Sequence, residues 1–207
     1  MINIPEGRRA RNKADKLHRI RTAARDLFIE KGYDGTTMRD LAARSGVGFG
    51  TIFDYASSKR DLLFLIFNPD LVVTLDHAYA EAVDKTDYID QLMCLFSGFY
   101  RLYERDPELS RYLLRELNFY QDGAEAAKFM AQRADFLQRV EQLTREAQAR
   151  KALAEDVPAA TLARILFSTF AWEVRRWIGS NPLDLEAGVS ELRMLISVQT
   201  RGFRKPN

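Results

Sequence analysis

Residue types that commonly carry chemistry are sparse in this chain, and their spacing rules out most of what they might do. His18 and His77 are the only histidines and lie far apart, and no Glu-x-x-His repeat of the kind that builds a di-iron bundle occurs. Asp15 and His18 are one helical turn apart, which suits a surface contact better than a ligand pair. The glycine-rich run Gly46-Val47-Gly48-Phe49-Gly50 lacks the preceding strand and the Lys-Ser/Thr ending of a phosphate-cradling loop. Serine, cysteine and histidine form no identifiable nucleophile arrangement. No catalytic residue, metal site or cofactor is therefore expected, and the chemistry to look for is binding.

Binding chemistry concentrates between Thr36 and Leu62, in TTMRDLAARSGVGFGTIFDYASSKRDL. The pattern predicts three short helices: Thr37 to Ser45, a stub from Gly48 to Tyr55, and a third from Ser58. Thr37 with Asp40, and Ser58 with Asp61, have the spacing of a capping box. Met38, Leu41 and Ala42 share one face of the first helix. Gly46 should end that helix in a left-handed conformation that other residues adopt reluctantly. A helix, a short turn containing glycine and a second short helix make a helix-turn-helix, whose second helix enters the DNA major groove.

With its flanks, from about Ile20 to Leu63, this stretch resembles the N-terminal DNA-binding domain of the TetR family of bacterial one-component regulators. The chain departs from that family's usual pattern at three places. Gly48 stands where serine is common, Phe53 where tyrosine is common, and Ala56 where phenylalanine is usual, which should thin the packing behind the stub. By position, Thr37, Tyr55 and Lys59 are expected at phosphates, aided by the backbone amides of the helix starting at Ser58. Phe49, Gly50 and Thr51 are expected at base edges, where Phe49 and the Thr51 methyl can meet a thymine methyl. Asp54 either accepts from a cytosine amino group or pairs with a neighbouring arginine. Arg39, Gly48 and Phe53 complete the expected DNA surface.

The charge distribution fits a chain with one end on nucleic acid. Residues 1–61 hold 13 Lys/Arg against 8 Asp/Glu, while the remaining 146 hold 18 against 21. Arg8, Arg9, Arg11, Lys13 and Lys16 form a basic leader without apolar period, expected to be mobile and to reach phosphates or the minor groove. Ile20, Ala23, Ala24, Leu27 and Phe28 then predict a helix from about Asp15 to Lys31, closed by Gly32, with Tyr33 packing back onto it. Cys94 is the single cysteine, so no intrachain disulfide forms. The start of the chain lacks a signal-peptide core, and no run approaches about 18 apolar residues. A cytoplasmic, membrane-free protein is expected.

The rest of the chain reads as helical, with no alternating strand pattern. Asn68-Pro69 should break the third helix, which the resemblance would make a lever between ligand and DNA. Further helices are expected over Leu71–Val83, Tyr88–Arg105, Asp106 to about Tyr120, Ala124–Lys151, Pro158–Ile178, and from Asp184 towards the tail. Gln121-Asp122-Gly123 should separate two of them. Apolar residues nearly encircle the penultimate helix, from Leu162 and Ile165 to Trp172 and Trp177, and such a helix must be covered on more than one side. The resemblance implies that the last two helices form a twofold four-helix interface with a second copy.

The expected architecture is thus all-α with about nine helices. A helix-turn-helix domain with a basic arm occupies residues 1–57, and a helical ligand-binding and dimerisation domain occupies residues 58–207. The resemblance implies a regulator, a repressor that binds a palindromic double-stranded operator as a homodimer and is released by a small hydrophobic or aromatic inducer. Phe96, Phe99, Tyr103, Glu116, Leu117, Phe129, Phe167 and Phe170 are the residues expected around that inducer. The other reading is a DNA-binding regulator that is independent of ligand or controlled by a protein partner, which a tightly filled body would favour.

Overall fold

The structure is a computed structural model that describes residues 7–117 and 122–203. The described residues form nine helices: α1 (Arg8–Gly35), α2 (Met38–Ser45), α3 (Phe49–Ile52), α4 (Lys59–Val83), α5 (Tyr88–Glu104), α6 (Pro107–Glu116), α7 (Ala124–Ala149), α8 (Ala159–Ile178) and α9 (Leu185–Arg201). Phe119, Tyr120 and Gln121, with the end of the tail, lie outside them. The helices divide into two compact units, one made of Met1–Pro69 and Arg115–Phe129, the other of Asp70–Leu114 and Met130–Asn207.

In the first unit, α1 buries the stripe read from its sequence, Ile20, Ala23, Ala24, Leu27 and Phe28. Gly32 interrupts it at φ 72°, a conformation that costs glycine nothing. The turn beyond carries Tyr33 back against Phe28, with ring centroids 5.2 Å apart. The helix starts earlier than expected, at Arg8, so the basic leader is helical rather than a mobile arm. Alanine, arginine and lysine favour helix strongly, and nothing between Gly7 and Gly32 breaks it.

The expected break at Asn68-Pro69 does not occur, and α4 runs through Pro69 without interruption. Proline inside a helix costs about 3 kcal/mol. Leu62 to Phe67 before it and Leu71 and Leu75 after it are all buried, and full burial of one such side chain is worth roughly 1.5–3 kcal/mol. Keeping the stripe on one continuous helix outweighs the lost hydrogen bond. The same stripe gives α4 the length and hydropathy of a membrane span, contrary to the expectation that no stretch would qualify, but 56% of that window is buried inside the protein.

The first unit also contains the start of α7. The Asp61 carboxylate accepts from the amides of Ser57 at 3.0 Å and Ala126 at 3.0 Å. The Asn68 side-chain amide donates to the Glu125 carbonyl and carboxylate, both at 2.9 Å, and Phe64 meets Phe129 at 5.3 Å. Gly123 sits at φ 105° with Asp61 so close that a Cβ there would lie 2.6 Å from the carboxylate.

The second unit is built on α5, α8, α9 and most of α7. Asp87 and Asp184 cap α5 and α9 by accepting the amides of Asp90 and Ala187. Phe96 stacks on Phe170 at 4.8 Å, Phe99 on Phe136 at 4.6 Å, and Tyr100 lies against Trp177 at 4.6 Å. Gly188 makes room for Trp177, whose indole N–H donates to the Asp184 carbonyl at 2.7 Å. Outside this core, α8 and α9 leave Ile165, Trp172, Met194 and Val198 uncovered, Trp172 with 68% of its surface exposed.

Candidate nucleic-acid interface

The geometry of the head begins with the cap on α2. The Thr37 hydroxyl accepts from the Asp40 amide at 3.1 Å, and the Asp40 carboxylate accepts from the Thr37 amide at 2.9 Å, completing the box read from the sequence. Lys31 adds an ion pair to Asp40 at 2.8 Å. That hydrogen bond from Lys31, with those from Thr37, holds the Asp40 carboxyl well below the usual carboxylate range.

At the other end of α2, Gly46 is left-handed, with φ 62° and ψ 26°. The Arg19 guanidinium donates to the Ser45 carbonyl at 2.9 Å and the Gly46 carbonyl at 2.7 Å. A cation there suits the negative end of the helix and satisfies carbonyls that have no partner within it. It also crowds the turn, because a Cβ on Gly46 would lie 2.7 Å from Arg19. Arg19 was not among the residues singled out from the sequence, since nothing local marks a partner 26 positions away.

The chain then enters α3, a single turn capped by Gly48 without a side-chain hydrogen bond. Val47, Ile52 and Ala56 are buried beneath it. Ala56 is packed at this position despite its small size. Gly48, Phe49, Gly50, Phe53 and Asp54 point outward, with Thr51 and Tyr55 half-buried. Of the expected DNA-contacting residues, this surface brings together Gly48, Phe49, Gly50, Thr51, Phe53, Asp54 and Tyr55, and Arg39 is exposed on α2.

Lys59 is already engaged within the head. Its ammonium donates to the carbonyls of Tyr33 at 2.8 Å and Asp34 at 3.2 Å, and lies 4.6 Å from the Tyr33 ring centre. Burial, followed by the nearby Glu116 carboxylate, pushes the Tyr33 hydroxyl up to about 12. Ser58 begins α4 by accepting from the Asp61 amide at 3.1 Å. Arg9, Arg11, Lys13 and Lys16 are exposed along the first turns of α1, and the Tyr55 hydroxyl reaches the Lys13 carbonyl at 3.4 Å.

Residues 20–66 match the family model described as bacterial regulatory proteins of the tetR family. That stretch takes in the end of α1, all of α2 and α3 and the start of α4, and it is where the likeness to the tetR family lies. An HTH-type transcriptional regulator of Staphylococcus aureus is 30% identical over 63 residues, which is 30% of this chain and 34% of that relative. The chain thus matches about a third of the length of such curated relatives. Among solved structures, the regulator FadR of Bacillus subtilis in complex with stearoyl-CoA is similar with a TM-score of 0.70 at 20% identity, covering 86% of this chain and 96% of that one. FadR of Thermus thermophilus in complex with lauroyl-CoA gives 0.69 at 22%, covering 87% and 93%. A TetR/AcrR-family regulator of Thermobifida fusca gives 0.67 at 24%, covering 92% and 100%. At these identities the likeness is one of fold, and it extends beyond the head.

The residues expected around an inducer fall into separate settings. Phe96, Phe99, Tyr103 and Phe170 are buried in the aromatic core of the second unit. Burial raises the Tyr103 hydroxyl well above the ordinary tyrosine value. Glu116, Leu117 and Phe129 belong to the first unit, where Glu116 pairs with Arg60 at 3.2 Å. Phe167 is half-buried and lines a groove of about 320 Å³ between α7 and α8, together with Met130, Arg133, Leu137 and Arg164. The Arg133 guanidinium lies over the Phe167 ring at 5.6 Å. Burial holds the half-buried Arg175 guanidinium below its usual value, and the charge of Arg133 adds to that effect. Of the groove's arginines, Arg133 was missed from the sequence because charged residues recur along the whole of α7, and Arg164 because α8 reads as an almost wholly apolar helix.

Proposed function

We propose that this chain is a DNA-binding transcriptional regulator, a repressor that reads a twofold operator as a homodimer and is released by a small amphiphile. The observation that carries the reading is the TetR-type head, where α3 and its flanks present Gly48, Phe49, Gly50, Phe53 and Asp54 outward. One such stub touches few bases, so two heads about one or several turns of duplex apart, roughly 34–36 Å per turn, are needed for affinity. The uncovered residues of α8 and α9, among them Trp172, Met194 and Val198, supply an apolar face for a second copy. Thr37, Arg39, Tyr55 and Lys59 then serve phosphates, setting register.

Phe96, Phe99, Phe136 and Phe170 pack ring against ring in the second unit, and the groove beside Phe167 is the candidate ligand site. The open groove favours a ligand with an apolar chain and an anionic end. Met130, Leu137 and Phe167 would take the chain, and Arg133 and Arg164 the charge. Binding of acyl-CoA by similarly folded regulators is consistent with that chemistry. Moving the protein from about 99:1 to 1:99 on its operator needs roughly 5.5 kcal/mol of differential binding.

The test is selection of bound duplexes from random DNA, followed by titration of the complex with palmitoyl-CoA, coenzyme A alone and palmitate. Enrichment of an inverted repeat and release by the acyl thioester support the reading. Enrichment without release by any of the three leaves a ligand-independent regulator.

A further inference from the structure

The surface of α3 and the turn after it is unusual for one that must discriminate bases. Phe49 is 48% exposed and Phe53 44% exposed, and their rings meet edge to face at 5.3 Å with an interplanar angle of 79°. Around them the outward residues are Gly48, Gly50 and Asp54. The two largest outward side chains on this surface therefore carry no hydrogen-bonding group. Gly50 has open space where a Cβ would stand, so the backbone there can come close to the floor of a groove.

The thymine C5 methyl is the apolar group that B-DNA displays in the major groove. Neighbouring bases on a strand are about 3.4 Å apart along the helix axis, and the twist of the duplex sets their outer groups further apart, so two rings with centroids 5.3 Å apart can each face one of two adjacent base pairs. We infer that Phe49 and Phe53 act as a paired apolar reader of thymine methyls on adjacent base pairs, and that this pair sets the operator's sequence preference. The inference rests on the regulator reading above and assigns its specificity to one side-chain pair. Phosphate contacts contribute affinity without sequence information, whereas this pair contributes sequence information without charge.

The test uses the full chain and the duplex it selects from random DNA. Each thymine is replaced in turn by deoxyuridine, which removes only the methyl. Uracil at two neighbouring positions in each half-site should weaken binding about fourfold per methyl. Phe49→Ala and Phe53→Ala should each abolish the penalty at one of those positions while leaving the salt dependence of affinity unchanged, because no phosphate contact is lost. Both side chains are half exposed, and thermal unfolding of the variants separates lost contact from lost fold. An enriched duplex that tolerates uracil at every position overturns this inference alone. So does a penalty that persists undiminished in both variants. Failure to enrich any duplex overturns the regulator reading and this one with it.

Discussion

The Asp61 carboxylate and the Ala126 backbone amide stand 3.0 Å apart, 65 positions apart in sequence. Asp61 lies in the first turn of α4, Ala126 in the first turn of α7, and the same carboxylate also takes the Ser57 amide just ahead of α4. One buried side chain therefore satisfies amides at the starts of two helices, groups that would otherwise be left without a partner.

Removing that carboxylate should be costly. Asp61→Ala leaves two amides without acceptors and is expected to lower unfolding free energy by about 2–3 kcal/mol. Asp61→Asn, which keeps one oxygen, should recover part of the loss. Urea denaturation measures both, and a change under about 0.5 kcal/mol in the alanine variant would show that water replaces the bond freely.

Lys59 is expected to have two measurable roles. Lys59→Ala gives up charged hydrogen bonds to the end of α1 and should cost about 1–2 kcal/mol of stability. It should also weaken binding to all duplexes alike and lower the salt slope by about 0.9. A sequence-selective loss would contradict the phosphate assignment.

The cap of α2 makes a prediction for pH. Asp40 has a folded-state carboxyl held below its unfolded value, chiefly by the bonds from Lys31 and Thr37. Its contribution is fully present above about 3.9, the unfolded value, and is lost as pH falls from there through the depressed folded value. The stability gap between the wild type and Asp40→Asn should therefore be wider at pH 7 than at pH 3. A gap equal at both would show that the charge adds nothing to the cap.

Trp172 tests the assembly. In Trp172→Asp the apolar face of α8 and α9 acquires a charge at its most prominent side chain. The dimer dissociation constant should rise at least about thirtyfold, the equivalent of about 2 kcal/mol. Light scattering across a dilution series reads the result directly. A wild-type chain that stays monomeric at micromolar concentration would remove this interface from the mechanism.

What the sequence made legible was local. The box at Thr37 and Asp40 and the left-handed Gly46 are each decided by residues within a few positions, and the structure has both. The break expected at Pro69 was misjudged because a local penalty was weighed without the tertiary burial on both sides of it. Arg19 at the end of α2, and Asn68 with Glu125, were out of reach for the same reason. Their partners are set by packing across 26 and 57 positions. The aromatic residues of the second unit were visible as a set, but periodicity alone does not distinguish a filled core from a lined cavity.

With only four helical residues, α3 is far below the length at which a helix holds itself together in water. Its shape is borrowed from what Val47, Ile52 and Ala56 rest upon. A synthetic fragment copying the α2–α3 stretch would have no fixed form, and moving these few residues into another scaffold would not carry their preference along. Any redesign of what this protein reads has to transplant the floor beneath the letters as well.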